Sequence, residues 1–219
     1  VKALESDEAD VVIIQNGIDN AFRMKQDTTL QNLSAANTSP PKTRAMTYYR
    51  DRLWCLKDNK LYYSGAVPVD YNVTFNQTIN YYNVTVGTER ALVGTRDYGL
   101  IIFGSLQIYQ LNPSLIPDPS LDKPELVLDM GCANGDTVKQ VGDDFFYLGY
   151  DGVRAVRRTV QDKLQSGQSF PLSWNLKTEF DEINWAYIQN ADAAYFDNKY
   201  ILTLPTGSFT TNNKLWVYY

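Results

Sequence analysis

The sequence predicts an all-β fold, a β-propeller of about five blades, and three observations carry that prediction. An apolar run followed closely by a second one occurs four times: 51–56 with 60–64, 98–103 with 106–111, 144–148 with 152–156, and 199–204 with 214–218. With Leu53, Leu100, Phe145 and Tyr200 as equivalent positions, the steps are 47, 45 and 55 residues, close to the ~40–50 of four-stranded propeller blades. Aromatic residues make up 13% of the chain, sixteen of them Tyr, which suits half-buried strands whose rings cover apolar neighbours while their hydroxyls reach water. A lone hairpin cannot bury its own apolar face, so a recurring hairpin with an outer strand or two reads as blades packed around a channel. A chain of 219 residues fits one such domain over 1–219, because all-β folds often reach this length undivided.

The elements follow in order. Val11–Gln15, Asn16-Gly17 and Ala21–Met24 read as strand, turn, strand, since Asn-Gly is a strong hairpin signal. Residues 25–42 are polar and end in Ser39-Pro40-Pro41, which predicts a loop between blades. Arg44–Tyr49 supplies an outer strand for the Leu53 hairpin. The Asn- and Thr-rich stretch from Val67 to Val86 is open to two readings, edge strands or a long loop. The prolines of 113–124 predict an excursion between blades. Asp151-Gly152 marks a hairpin tip that needs positive φ. Few strand signals follow Val160, and Leu176, Phe180 and Ile183 stand at i, i+4, i+7, which predicts an inserted amphipathic helix over 176–188. Residues 188–196 return to an outer strand, and Asp197-Asn198 turns into the last hairpin. Thirteen residues on these strands are expected in the core: Leu53, Leu56, Leu61, Ile101, Phe103, Ile108, Phe145, Tyr147, Val153, Ile201, Leu202, Leu215 and Val217.

Charge and composition exclude several classes. The formal charge is −5 and the pI about 4.8, so the basic surplus that drives phosphate binding is missing. No run of eighteen apolar residues occurs, so no membrane span is predicted. The segment from Val1 lacks the apolar core of a signal peptide, and with no initiator Met the chain is expected to be a processed or internal piece. There is no histidine, which removes Ser-His-Asp and Cys-His catalysis and His-containing zinc sites. Cys55 and Cys132 lack metal-type spacing and are expected to stay reduced.

The remaining constellations favour bland readings. Gly131–Thr137 superficially resembles a phosphate loop, but no Lys-Ser/Thr follows its last glycine. Asp143, Asp144 and Asp151 flank a hairpin without calcium-loop spacing. Glu179, Asp181 and Glu182 near Trp174 and Trp185 invite a glycosidase reading, against which stands a solvated helix face. Sequons at Asn32, Asn37, Asn72, Asn76 and Asn83 fit the Asn- and Thr-rich composition. Arg50 with Arg52, and Arg154 with Arg157 and Arg158, are expected to form local ion pairs. No catalytic, cofactor-binding or metal-binding residue is assigned.

One resemblance adds to this reading. Arg50–Trp54 with Asn59–Ser64, Gly94–Gly104, Asp129–Ala133 with Val141–Leu148 and Asp151–Val153, then Asn184, Ala193–Tyr195 and Asn198–Pro205, taken in that order, resemble the β-propeller region of tail-tube, nozzle and DNA-stabilisation proteins of tailed bacteriophages. It covers roughly residues 10–219. The resemblance implies a virion structural protein without catalytic residues, assembled as a homo-oligomeric ring, a hexamer, around the DNA exit channel. Its implied partners are the portal or adaptor, other tail proteins and DNA that passes without being gripped; its implied location is the virion tail. Mild acidity is compatible with a conduit, since a lumen rich in phosphate contacts would hold the polyanion. Two alternatives are a receptor- or glycan-binding propeller, whose array binding would vanish with Trp174→Ala, and a propeller glycoside hydrolase, whose turnover would vanish with Glu179→Gln.

Overall fold

The structure, a computed structural model, describes residues 2–4, 11–25, 29–67 and 73–219. Their strands form five antiparallel sheets, each built from consecutive strands. The first contains β1 (Lys2–Leu4), β2 (Val11–Ile14), β3 (Ala21–Lys25) and β4 (Leu30–Leu33). The second contains β5 (Met46–Tyr49), β6 (Arg52–Lys57), β7 (Lys60–Tyr63) and β8 (Tyr81–Asn83). β9 (Glu89–Thr95), β10 (Gly99–Gly104), β11 (Ile108–Leu111) and β12 (Glu125–Leu128) make the third. The fourth has β13 (Lys139–Val141), β14 (Asp144–Gly149) and β15 (Gly152–Ala155), and the fifth β16 (Asp192–Phe196), β17 (Lys199–Leu204) and β18 (Lys214–Tyr218). The all-β expectation therefore holds.

Turn chemistry explains the meanders. Arg50-Asp51, Asp58-Asn59 and Asp197-Asn198 each carry φ between 47° and 58° at both residues, the geometry that matches strand twist in two-residue hairpins. Asp and Asn tolerate it because their short polar side chains bond locally. At the β14–β15 tip the positive φ falls on Gly152 alone, at 136°, as the first residue of β15. Asn16-Gly17 opens a longer connection than a tight turn. The Asn16 Oδ1 accepts from the Ile18 and Asp19 amides at 2.9 and 2.8 Å.

Three expectations need correction. Residues 25–42 contain β4, an edge strand that tolerates Gln31 and Asn32 because most of it faces water. A helix, α1 (Val156–Ser166), occupies a stretch with little strand signal. Its first-turn amides at Arg157 and Arg158 donate to the Asp144 carboxylate, and Gly167 ends it at φ 70°, the usual C-terminal role of glycine. The helix expected over 176–188 is broken into a 3₁₀ turn at Trp174–Leu176, a short α2 (Lys177–Phe180), and a 3₁₀ segment at Trp185–Asn190. Phe180 and Ile183 are buried as the periodicity required, whereas Leu176, the first member of the series, is exposed. The Asn184 amide and side chain, however, bond to Pro205 and Phe209 carbonyls, which draws the backbone out of the helical path.

The chain divides into two compact units, Val1–Phe103 with Tyr109–Leu126, and Gly104–Ile108 with Val127–Tyr219. In the first, sheets stack in consecutive pairs. Ile13 and Ala21 of the first sheet meet Met46, Leu53 and Cys55 of the second. The opposite face of the second sheet, Trp54, Leu56, Leu61 and Tyr63, meets Leu92, Leu100, Ile102 and Leu111 of the third. In the second unit Phe146, Leu148, Val153 and Ala155 of the fourth sheet meet Tyr200, Leu202 and Leu204 of the fifth. Ten of the thirteen expected core residues are buried, whereas Ile201 is half-buried and Leu215 and Val217 are exposed. The register pairs Leu202 with Trp216 and Thr203 with Leu215. Side chains alternate along a strand, so Trp216 takes the inner face and Leu215 and Val217 the outer one.

One carboxylate gathers several bonds of the proline-rich excursion of 113–124, which Arg50 and Tyr63 also hold at the Pro113 and Pro117 carbonyls. Asp122 accepts from the Ser114 amide (3.1 Å) and hydroxyl (2.7 Å), the Asp118 amide (3.0 Å) and the Tyr82 hydroxyl (2.9 Å). Burial raises its pKa, but these donors, led by the Asp118 amide, outweigh it and leave the group below its ordinary value. A carboxyl depressed on folding stabilises above its unfolded pKa of about 3.9, and that contribution is lost as pH falls through the folded value. Hydrogen-exchange protection of the Ser114 and Asp118 amides should therefore fall on acidification below about pH 4, and in Asp122→Asn already at neutral pH. Unchanged protection in that variant would show that the loop is held by something else.

Candidate functional site

The sheets differ in how their faces are covered. β6, β10 and β14 are buried on both faces along nearly their whole length. β17 alternates, with Tyr200, Leu202 and Leu204 buried and Lys199, Ile201 and Thr203 half-buried. The fifth sheet is therefore covered on one face only. Its other face brings together Ala194, Phe196, Ile201, Leu215 and Val217 with Thr203, and Phe196 is 75% and Leu215 63% exposed. Asp192 stands at one end of this stripe beside Lys139, and Lys199 at the other, bonded to Asp197. The water-facing side of an antiparallel sheet is ordinarily polar, so a contiguous apolar face is the informative exception.

The first sheet has a similar face. Ile13, Ala21 and Arg23 point inward and are buried. On the opposite face Val12 stands across from Met24 and Ile14 from Phe22, with Leu30 beside Met24. Val12, Phe22 and Met24 are half-buried, while Ile14 and Leu30 are exposed. Both faces were missed in the sequence, since β18 is apolar at both parities and gives no sign of which side is covered.

The residues of the chemical constellations have partners within the fold. In the glycine-rich loop, Asn134 is buried and its Nδ2 donates to the Ile188 and Ala191 carbonyls, while the Thr137 hydroxyl donates to the Asn134 carbonyl. These bonds hold the loop against the segment that leads into the fifth sheet. Asp144 caps α1, and Asp151 binds the buried Arg154 guanidinium through both oxygens at 2.8 and 2.5 Å. Asp143 is exposed, and its carbonyl accepts from Arg157. Among the described residues no three His, Cys, Asp or Glu side chains stand together as a metal site. Glu179 and Glu182 both accept from Lys214 Nζ, at 2.9 and 2.8 Å, and Asp181 pairs with Lys177. Glu182 and then Glu179 push the Lys214 ammonium pKa up, and both carboxylates are engaged by that one lysine of the fifth sheet.

The other residues singled out are scattered. Trp174 packs on Phe170 at 4.7 Å, and Trp185 stacks on Tyr150 at 5.7 Å, all four rings partly in water. Arg50 donates to the Pro113 carbonyl and Arg52 to that of Ser64. Arg158 lies 3.9 Å from Asp162. Of the sequon residues, Asn32, Asn37, Asn76 and Asn83 are exposed, and Asn72 lies outside the described residues. Cys55 and Cys132 are buried, and burial pushes the Cys55 thiol pKa far up, which makes it inert. No protein-family model matches the chain, and no curated protein matches it.

Proposed function

We propose that this chain is a non-enzymatic, ring-forming structural component of the tail or nozzle of a tailed bacteriophage, its five sheets being successive blades of one β-propeller domain over 1–219. The observation that carries the proposal is the consecutive antiparallel strand order of all five sheets, which successive propeller blades require. The capping or pairing of Asp144, Asp151, Glu179 and Glu182 supports it, and the exposed apolar residues of the first and last sheets offer surface for contacts with other subunits. The ring, of six copies by the family resemblance, would sit in the virion tail against portal or adaptor proteins and surround DNA without gripping it.

Electron microscopy of the intact particle with this chain localised tests the assignment. Density in the tail is expected, and localisation elsewhere would overturn it. With a charge of −5, duplex affinity at physiological salt should be no tighter than the ~10⁻⁴–10⁻⁶ M of non-specific binders. A sub-micromolar Kd in a fluorescence-anisotropy titration would refute the conduit role. The exposed Trp174 and Trp185 rings favour one second reading, a glycan-binding surface, for which loss of glycan-array binding in Trp174→Ala is the deciding observation.

A further inference from the structure

We propose that a cavity at the tip of the β14–β15 hairpin binds a neutral sugar ring. This rests on the glycan-binding reading for its class of ligand, and it gives that ligand a place that Trp174 does not line. The cavity measures about 430 Å³, and all the residues that line it belong to the second unit. Ligand pockets commonly span ~300–1,000 Å³. Three loops build it: the β10–β11 turn with Leu106, the segment after β12 with Asp129 and Met130, and the hairpin tip with Tyr150 and Asp151. The Cys132 amide donates to the Gly104 carbonyl at 2.8 Å, and a Cβ on Gly131 would meet the Ser105 carbonyl oxygen at 2.0 Å. The first two loops are therefore locked together by their backbones.

The lining combines hydrogen-bond acceptors with apolar surface. The Asp129 and Asp151 side chains are 67% and 51% exposed. Lys163 pairs with Asp129, and the buried Arg154 binds Asp151 through both oxygens. These cations offset the charge of both carboxylates without saturating them, because a carboxylate has about four acceptor positions and Arg154 takes two of those on Asp151. The cavity thus offers acceptors to hydroxyl donors and little net attraction to an ion. Glycine at 149 leaves the carboxylate its room, since a Cβ there would stand 3.3 Å from Asp151 Oδ1. Tyr150 is exposed, and its ring stacks on Trp185 at 5.7 Å, which orients it before a ligand arrives. Leu106, also exposed, and Met130 extend the apolar surface. A pyranose has both matching characters: its C–H face lies on an aromatic ring, and its hydroxyls donate to carboxylates.

Saturation-transfer NMR on the full chain, with the methyl α-pyranosides of glucose, galactose and mannose as probes, tests the site. At least one sugar should receive saturation, most strongly at the C–H protons of one ring face. Tyr150→Ala should weaken its binding about three- to tenfold, and Asp129→Asn ~tenfold or more. Tyr150→Phe, which keeps the ring, should bind as the unaltered chain does. Both positions are exposed, and circular dichroism would check that each variant folds. Trp174→Ala should leave the signal unchanged, because Trp174 packs on Phe170 outside the cavity. Glucosamine, a cationic analogue, should bind no better than glucose, and a clear preference for it would overturn the assignment to a neutral ligand. Saturation of none of the three sugars, or saturation that survives both Tyr150→Ala and Asp129→Asn, would overturn the inference. Glycan-array binding that is lost in Trp174→Ala but kept in the two cavity variants would leave the surface reading standing and sink the cavity. Saturation that depends on the cavity, with array binding indifferent to Trp174→Ala, would do the reverse.

Discussion

Replacing Trp54 by Ala is expected to lower the unfolding free energy by about 3–5 kcal/mol. Trp54 is fully buried in the layer between the second and third sheets, with the Tyr63 ring at 5.4 Å and the Tyr82 ring at 6.1 Å. Its Nε1 donates to the Tyr49 carbonyl at 3.0 Å, so truncation leaves both a cavity and an acceptor without its donor. Chemical denaturation should show a shifted midpoint with an unchanged slope. Leu215→Ala, measured at low concentration, is the matched control. The sequence places Leu215 among the core residues, but it stands on the open face at 63% exposure, where a substitution changes stability by no more than about 0.5 kcal/mol. A loss of about 2–5 kcal/mol, the cost at a buried leucine, would mean that this face is covered in the isolated chain.

How far the sequence could be read depends on what each signal measures. Hairpins were legible because apolar runs and turn residues are local, and every run from Leu53 to Lys214 became a strand pair. The faces of those strands were legible only where both are buried, as in β10 and β14, for then no choice of side is needed. In β18, Leu215, Trp216, Val217 and Tyr218 are apolar at both parities, and only pairing with β17 decides that Trp216 goes inward. α1 was missed because its sequence, Val-Arg-Arg-Thr-Val-Gln-Asp-Lys-Leu-Gln-Ser, buries only Val156 and Thr159 and so carries a weak apolar stripe. Gly167 was the available signal, a C-terminal glycine directly after Ser166 with Lys163 in the last turn. The acidic cluster was legible as residue types but not in its pairing, because Lys214 reaches it from a strand more than thirty residues away.

A graded series at three glycines separates backbone strain from crowding. Gly142 has φ +58° and nothing within 4 Å of the position its Cβ would take, so Gly142→Ala should cost about 1–2 kcal/mol from the left-handed conformation alone. Gly131 has no such φ, but its Cβ would lie 2.0 Å from the Ser105 carbonyl oxygen. That neighbour is backbone, so Gly131→Ala should cost about 1–3 kcal/mol or more by overpacking. Gly152 combines both, with φ +136° and a Cβ position 2.3 Å from the Ser173 hydroxyl and 3.1 Å from Pro171. Ser173 cannot simply turn away, because its hydroxyl accepts from the Val153 amide at 3.0 Å while the Leu172 amide donates to the Val153 carbonyl at 2.7 Å. Those two bonds fasten the 171–174 segment to the edge of β15. Gly152→Val should therefore be the most damaging of the three, at about 3 kcal/mol or more, and should release hydrogen-exchange protection at Val153 and Leu172. If it costs no more than Gly142→Ala, the segment yields to a side chain, and the edge of β15 is held elsewhere.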